Sequence, residues 1–341
     1  MVLSPLWQRR LAVFRAHRRG RVSLYIFAAV FIISMAANLI ANDKPLLISY
    51  RGQLYLPALQ FIPEQNFGAG FLPTETDFTN PDIKAAIAAH GWMLWPPIPY
   101  AYDTIVWNAG AAAPSPPSAR NWLGTDEVSR DVLARIIYGL RLSILFGFGL
   151  TIAASVIGII AGAVQGFYGG LTDLLFQRFI EIWSGMPQLF LLIVLASIIA
   201  PSFWILLIFL LLFSWMTLTG VVRAEFFRAR TLDYVRAARA LGVPDWQIML
   251  RHMLPNAMIA TLTFLPFILS DSITLLASLD FLGFGMPPGS PSLGELVSEA
   301  KDNLQAPWLA FAAFATLGGI LILLIFIGEA VRDSFDPRKT Q

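Results

Sequence analysis

The 341-residue chain is 56% hydrophobic and 13% charged and has no cysteine. The apolar excess excludes a water-soluble globule, and the absent thiols exclude disulfides, a thiol nucleophile and thiolate metal sites. The net charge of +2 conceals an arginine bias, 20 of the 24 basic residues; their placement bears on topology, and nucleic acid is not an expected partner.

In chain order, an arm (residues 1–21) holds Arg9, Arg10, Arg15, Arg18, Arg19 and Arg21 without an acid. Such a tract is retained in the cytoplasm. The first apolar run follows at 22–41, 20 uncharged residues. A cleaved signal peptide shares this layout, but its apolar region is only about 7–15 residues long, which favours an uncleaved anchor. Residues 42–140 then form a long insertion. Its Pro-rich, aromatic-rich portion (42–120) reads as irregular, apart from one short helix. There Asn80 caps, Pro81 suits the first turn, and Gly91 closes a segment Asp82 to His90. After Gly124, Thr125 is expected to cap an interfacial helix. Its apolar face is Val128, Val132, Leu133, Ile136, Ile137 and Leu140, and Asp126/Arg130 and Asp131/Arg135 are i,i+4 pairs. Two readings of those pairs stand, a solvated face and a docking surface for an external partner.

Five further apolar runs follow within residues 141–328: 142–164, 182–200, 203–222, 257–279 (interrupted by Asp271) and 308–328. Each can cross a hydrocarbon layer about 30 Å thick. The expected class is therefore all-α, a polytopic membrane protein with six transmembrane helices. Both termini, including the 329–341 tail, are then cytoplasmic. The arginines agree, because the inside loop 223–256 has six against three acids, while the outside loop 280–307 has four acids against Lys301.

Within that inside loop, Thr231 to Gly242 reads as a short helix: Thr231 caps it, Asp233 lies in its first turn, and Gly242 ends it in a left-handed conformation. Asp245 caps a second helix and Pro255 opens the next span. Ala237, Ala238 and Ala240 leave a small-faced surface on which another protein could pack closely. An amphipathic connector with topological arginines is the plainer reading.

The stretch resembles the EAA loop of permease subunits in ABC importers, whose pattern is Glu-Ala-Ala, a later Gly, and Ile-x-Leu-Pro. Ala237-Ala238, Gly242 and Leu254-Pro255 match it in spacing, while Arg236 stands for the Glu and His252 for the Ile. A salt bridge from the Glu position therefore does not carry over. Asn121-Trp-Leu-Gly-Thr-Asp126, Gly139-Leu-Arg-Leu-Ser143, Ser278 to Gly285, Ala306-Pro-Trp308 and Gly328 to Pro337 resemble the C-type permeases of the oligopeptide/dipeptide class. Ala41 to Leu47 and Trp95-Pro-Pro-Ile98 resemble, more narrowly, the Yej E-type permeases of peptide and microcin C importers. The resemblance implies a type I importer core (MetI-like) in residues 141–328. It also implies import of peptides or peptide-like compounds across a bacterial inner membrane, and a coupling loop that uses Arg236, Ala237, Ala238, Leu241, Gly242, Leu254 and Pro255. The implied partners are a second homologous permease, ABC ATPase subunits that carry ATP and magnesium, and a periplasmic peptide-binding protein. No cofactor is expected on this chain.

Lys44, Lys84, Lys301 and Lys339 all lack the preceding glycine of a P-loop, so energy comes from a partner or from an ion gradient. A gradient-driven carrier places ionisable groups within its spans, and Asp271 alone lies clearly inside one. Arg178 and Glu181 read as a pair near the membrane interface. Asp271 either lines the substrate path or is held by hydroxyls such as those of Ser270, Ser272 and Thr274. A membrane enzyme built on Ser290 and Ser292 lacks a strand-to-helix elbow and a nearby histidine.

Overall fold

The computed structural model describes residues 5–58, 60–68, 74–107 and 112–336; residues 337–341 of the expected tail lie outside them. The chain opens with α1 (Pro5–Ala16), α2 (Arg18–Met35) and α3 (Ala37–Ile40). Strands β1 (Leu47–Tyr50) and β2 (Gln53–Tyr55) follow, then α4 (Pro81–His90) and β3 (Gly91–Leu94). The helical remainder is α5 (Val132–Tyr168), α6 (Gly170–Ser184), α7 (Gln188–Ile198), α8 (Phe203–Ala229), α9 (Asp233–Ala240), α10 (Asp245–Gln247), α11 (Leu254–Phe281), α12 (Leu293–Asp302) and α13 (Pro307–Phe335). Two compact units result, one from residues 1–28, 144–287 and 318–341, the other from 29–143 and 288–317.

Among the described residues, four helical segments are individually long and apolar enough to cross a membrane: α5, α8, α10 through α11, and α13. The expected third run is instead a broken pair, with α6 and α7 bent by 68° at Gly185 to Pro187. Pro187 cannot donate a backbone N–H to continue α6. The first run is helical as α2, but three arginines occupy its first turn and the path breaks at Ala36.

The insertion is not irregular. Its strands form an antiparallel sheet in the order β2-β1-β3, with Ile48 opposite Tyr55 and Met93. Arg51 and Gly52 both have positive φ and close the β1–β2 hairpin, as a type I′ turn requires. Alternation along β1 buries Ile48 and Tyr50 against Phe67, Phe78, Ile83 and Ile87. The α4 N-terminus is as expected, the Asn80 side chain accepting from Asp82 N at 2.9 Å. Gly91 is not a left-handed cap: its backbone is extended and opens β3, and a Cβ there would run into the Ser49 carbonyl.

The interfacial helix from Thr125 does not form. Residues 125–131 make a turn, with Ser129 at positive φ, and α5 begins at Val132, where the Asp131 side chain accepts from Ala134 N at 2.8 Å. Nor is the charged face solvated. Asp126 and Arg135 are fully buried, and Arg130 and Glu299 nearly so. Arg135 Nη1 donates to Asp126 at 2.6 Å and to both Glu299 oxygens at 2.7 Å, and its Nη2 lies 3.0 Å from Glu295. Arg130 bridges Asp126 and Glu299 at 2.6 and 3.1 Å, while Asp131 takes Asn121 rather than Arg135. With three carboxylates to two guanidinium groups, the cluster has one negative charge in excess. Burial pushes the Glu299 carboxyl up to about 7, against the pull of Arg135.

In the helical unit, α5 presents Gly158, Gly162 and Gly166 to α8. A Cβ at Gly158 or Gly162 would lie 2.6 Å from the Trp215 or Thr219 carbonyl oxygen. This is the small-xxx-small spacing that lets helix backbones approach within a bilayer. Arg223 of α8 pairs with Asp173 of α6, and Trp183 Nε1 donates to the Leu212 carbonyl at 2.9 Å.

Candidate functional site

α9 is the short helix expected in the loop. Its first turn contains Asp233, favourable at a helix N-terminus. Thr231 does not cap it: the Thr231 hydroxyl donates to the Arg228 carbonyl at 2.9 Å, and Leu232 holds the N-cap position. The C-terminus follows the glycine reading closely. Gly242 has φ +77°, its N–H donates to the Arg239 carbonyl at 3.0 Å, and the Val243 N–H donates to Ala238 at 3.1 Å. These two bonds form a Schellman motif, which only a residue at ease with positive φ can close without strain.

The expected coupling residues separate into two sets. Val235 and Ala238 are buried with Phe167, Leu218, Val222, Phe226, Ile248 and Met253, and Leu254 packs against that core. Arg236, Ala237, Ala240 and Leu241 face outward, Leu241 at 82% exposed. α9 is thus a small-faced projection whose inner side is locked to α5, α8 and α11. The Arg236 guanidinium makes no hydrogen bond or ion pair among the described residues, although its backbone N–H donates to the Leu232 carbonyl at 3.2 Å. With Arg230 and Arg239 it lines a cleft of about 540 Å³ that also holds Asp245, Phe167 and Tyr168. Pro255 lies in the first turn of α11, as expected, although the helical path runs on from Asp245 to Phe281 through a wide π-helical segment at Ile248–Met253 directly before it. Such a segment loosens the ladder where the proline lacks its N–H.

Asp271, in α11, lines a separate cavity of about 200 Å³ with Gln188, Phe213, Ser214, Thr217 and Ser272 among its walls. The hydroxyl reading of its surroundings does not hold. Ser272 donates to the Ile268 carbonyl at 2.8 Å and Thr274 to Ser270 at 2.9 Å, both within their own helix, and Asp271 has no hydrogen-bond or ionic partner among the described residues. Arg178 and Glu181 do pair, at 2.5 Å on an exposed face. No group of three or more His, Asp or Glu side chains suited to a metal occurs among the described residues. The glycine stripe on α5 was missed in the sequence, although its four-residue spacing inside an uncharged run was a readable signal.

The family profile described as a binding-protein-dependent transport system inner membrane component matches residues 154–341. The chain belongs to this family. The matched region includes α6 through α13 and with them the projecting loop and the Asp271 cavity. The chain is 58% identical to the Escherichia coli inner membrane ABC transporter permease protein YejE, over 99% of this chain and 98% of the relative. It is 55% identical to the Agrobacterium fabrum peptidoglycan transport system permease protein YejE, over 99% and 94%. Similarity to the Lactococcus lactis oligopeptide transport system permease protein OppC is 34% identity over 64% of this chain and 75% of that protein. The chain is thus a multi-pass inner-membrane permease subunit, and the full-length matches extend through its inserted sheet.

Proposed function

We propose that this permease forms half of the membrane channel of an ATP-driven importer that moves peptides or peptide-like compounds, microcin C-type molecules among them, from periplasm to cytoplasm. A second homologous permease completes the channel, a periplasmic peptide-binding protein delivers the substrate, and ATPase subunits bind ATP and magnesium. Both termini and the α8–α11 loop are on the cytoplasmic side. One observation carries the coupling role: α9 is closed by Gly242, anchored inward through Val235 and Ala238, and presents Arg236, Ala237, Ala240 and Leu241 outward. A rigid knob on helix ends can transmit displacement from a docked subunit to the spans, which a mobile loop could not do.

In this reading, ATP-driven closure of the ATPase dimer moves α9, and α8 and α11 follow because they share its buried core. The pathway opens outward to the loaded binding protein, and hydrolysis resets it. Reconstitution in proteoliposomes with the ATPase subunits, second permease and binding protein tests this. Uptake of a tripeptide should require ATP and every subunit. Uptake by this chain alone, driven by a proton gradient, would instead favour a secondary carrier that uses Asp271.

A further inference from the structure

We propose that the cavity around Asp271 binds the free ammonium group of the translocated peptide; this rests on the peptide-import reading above. Three helices meet there. Gln188 comes from α7, Phe213, Ser214 and Thr217 from α8, and Asp271 and Ser272 from α11. At about 200 Å³ the cavity is smaller than the roughly 300–1,000 Å³ of a site for a complete small ligand, so it accommodates one end of a longer molecule.

A carboxylate in a membrane span is costly unless a partner or a polar path compensates it. Asp271 has no partner among the described residues, and the nearby hydroxyls of Ser214 and Ser272 are committed to carbonyls of their own helices at 2.9 and 2.8 Å. The Gln188 side-chain nitrogen is buried without a hydrogen-bond partner, and a flip of this amide presents its oxygen there as an acceptor. One carboxylate with an amide oxygen and the Thr217 hydroxyl suits a compact cation that donates three hydrogen bonds, the description of a primary ammonium. A divalent metal would require more oxygen ligands, usually several of them carboxylates. Every linear peptide with an unblocked N-terminus carries such a group, so the site would grip substrates without reading their side chains.

The test uses the complete transporter in proteoliposomes, with the binding protein preloaded to saturation with either trialanine or N-acetyl-trialanine, and reads single-turnover uptake. Wild type should transport trialanine about 10-fold faster than the acetylated form, the scale of one lost charge-assisted contact. Asp271→Asn should transport both at the slower rate, and Asp271→Glu should recover part of the preference. Gln188→Ala should reduce the preference without abolishing uptake. No preference in wild type, a preference retained in Asp271→Asn, or equal loss of both substrates with basal ATP hydrolysis intact would each overturn the proposal. Absence of ATP-dependent uptake of either peptide by wild type would instead overturn the import reading.

Discussion

Substituting Glu299 by Gln tests the buried charge cluster through the pH dependence of stability. Burial lifts this carboxyl from its ordinary 4.5 to about 7, against the pull of Arg135 and Arg130 and with the nearby Asp126 charge adding to the rise. Between those two values the native state holds a proton that the unfolded chain has released. Stability is therefore highest on the acid side and falls as pH rises through the window, by about 3 kcal/mol in all. For a domain of this size that corresponds to a fall in apparent Tm on the order of 5–10 °C. Gln keeps the shape and an acceptor for Arg135 but cannot ionise, which leaves two acids facing two arginines. Thermal unfolding of the detergent-solubilised protein, followed by tryptophan fluorescence from pH 5 to pH 8 at constant ionic strength, should show the fall in wild type and a flatter profile in Glu299→Gln. The variant should be the more stable of the two at pH 8. A flat wild-type profile, or an undiminished fall in the variant, would refute the argument.

Arg135→Met removes the central cation and leaves the buried Asp126 and Glu299 and the partly exposed Glu295 with Arg130 alone; a loss of about 3–5 kcal/mol is expected, larger at pH 8 than at pH 5.5, in the same assay. At Gly242, φ is +77° and an added Cβ meets nothing within 4 Å, so Gly242→Asp should cost about 1–2 kcal/mol of local strain yet still insert. ATP hydrolysis by the assembled transporter should persist while peptide uptake falls about 5- to 30-fold, the equivalent of that strain; normal coupled uptake would rule out the role given to α9. Gly162→Leu should force α5 and α8 apart and lower the yield of folded protein in membranes, whereas Gly318→Leu, at a position with open space around the added atom, should be tolerated; equal yields would contradict close backbone packing.

Much of the helical plan was legible because the bilayer imposes a simple rule on composition and length. The long apolar helices, the arginine-rich loop, the Asn80 cap and the Gly242 break all follow from local chemistry: apolar runs, a side-chain acceptor before a helix, and a residue suited to positive φ. The inserted sheet was hidden because its hairpin turn is Arg51-Gly52 rather than an Asn-Gly signal, and its strands are only three or four residues long. Sequence spacing paired Asp126 with Arg130, as the structure does, but gave Arg135 to Asp131, which takes Asn121 instead. It assumed a helix there, whereas a turn rotates Asp126 toward Arg135, and Glu295 and Glu299 arrive from about 160 residues further along the chain.

By itself, then, the sequence determined that this protein lives in a membrane, that none of its lysines follows a glycine as a P-loop lysine does, and which short loop combines small residues with a glycine stop. Tertiary structure decided which side chains are available. It buried Ala238 while exposing Ala237 and Leu241, converted an apparent surface salt-bridge face into a closed ionic cluster, and brought Gln188 from α7 to the cavity of Asp271. Helix periodicity assigns residues to faces, but what a face meets depends on elements distant in sequence, and burial, charge pairing and cavities arise only at those meetings.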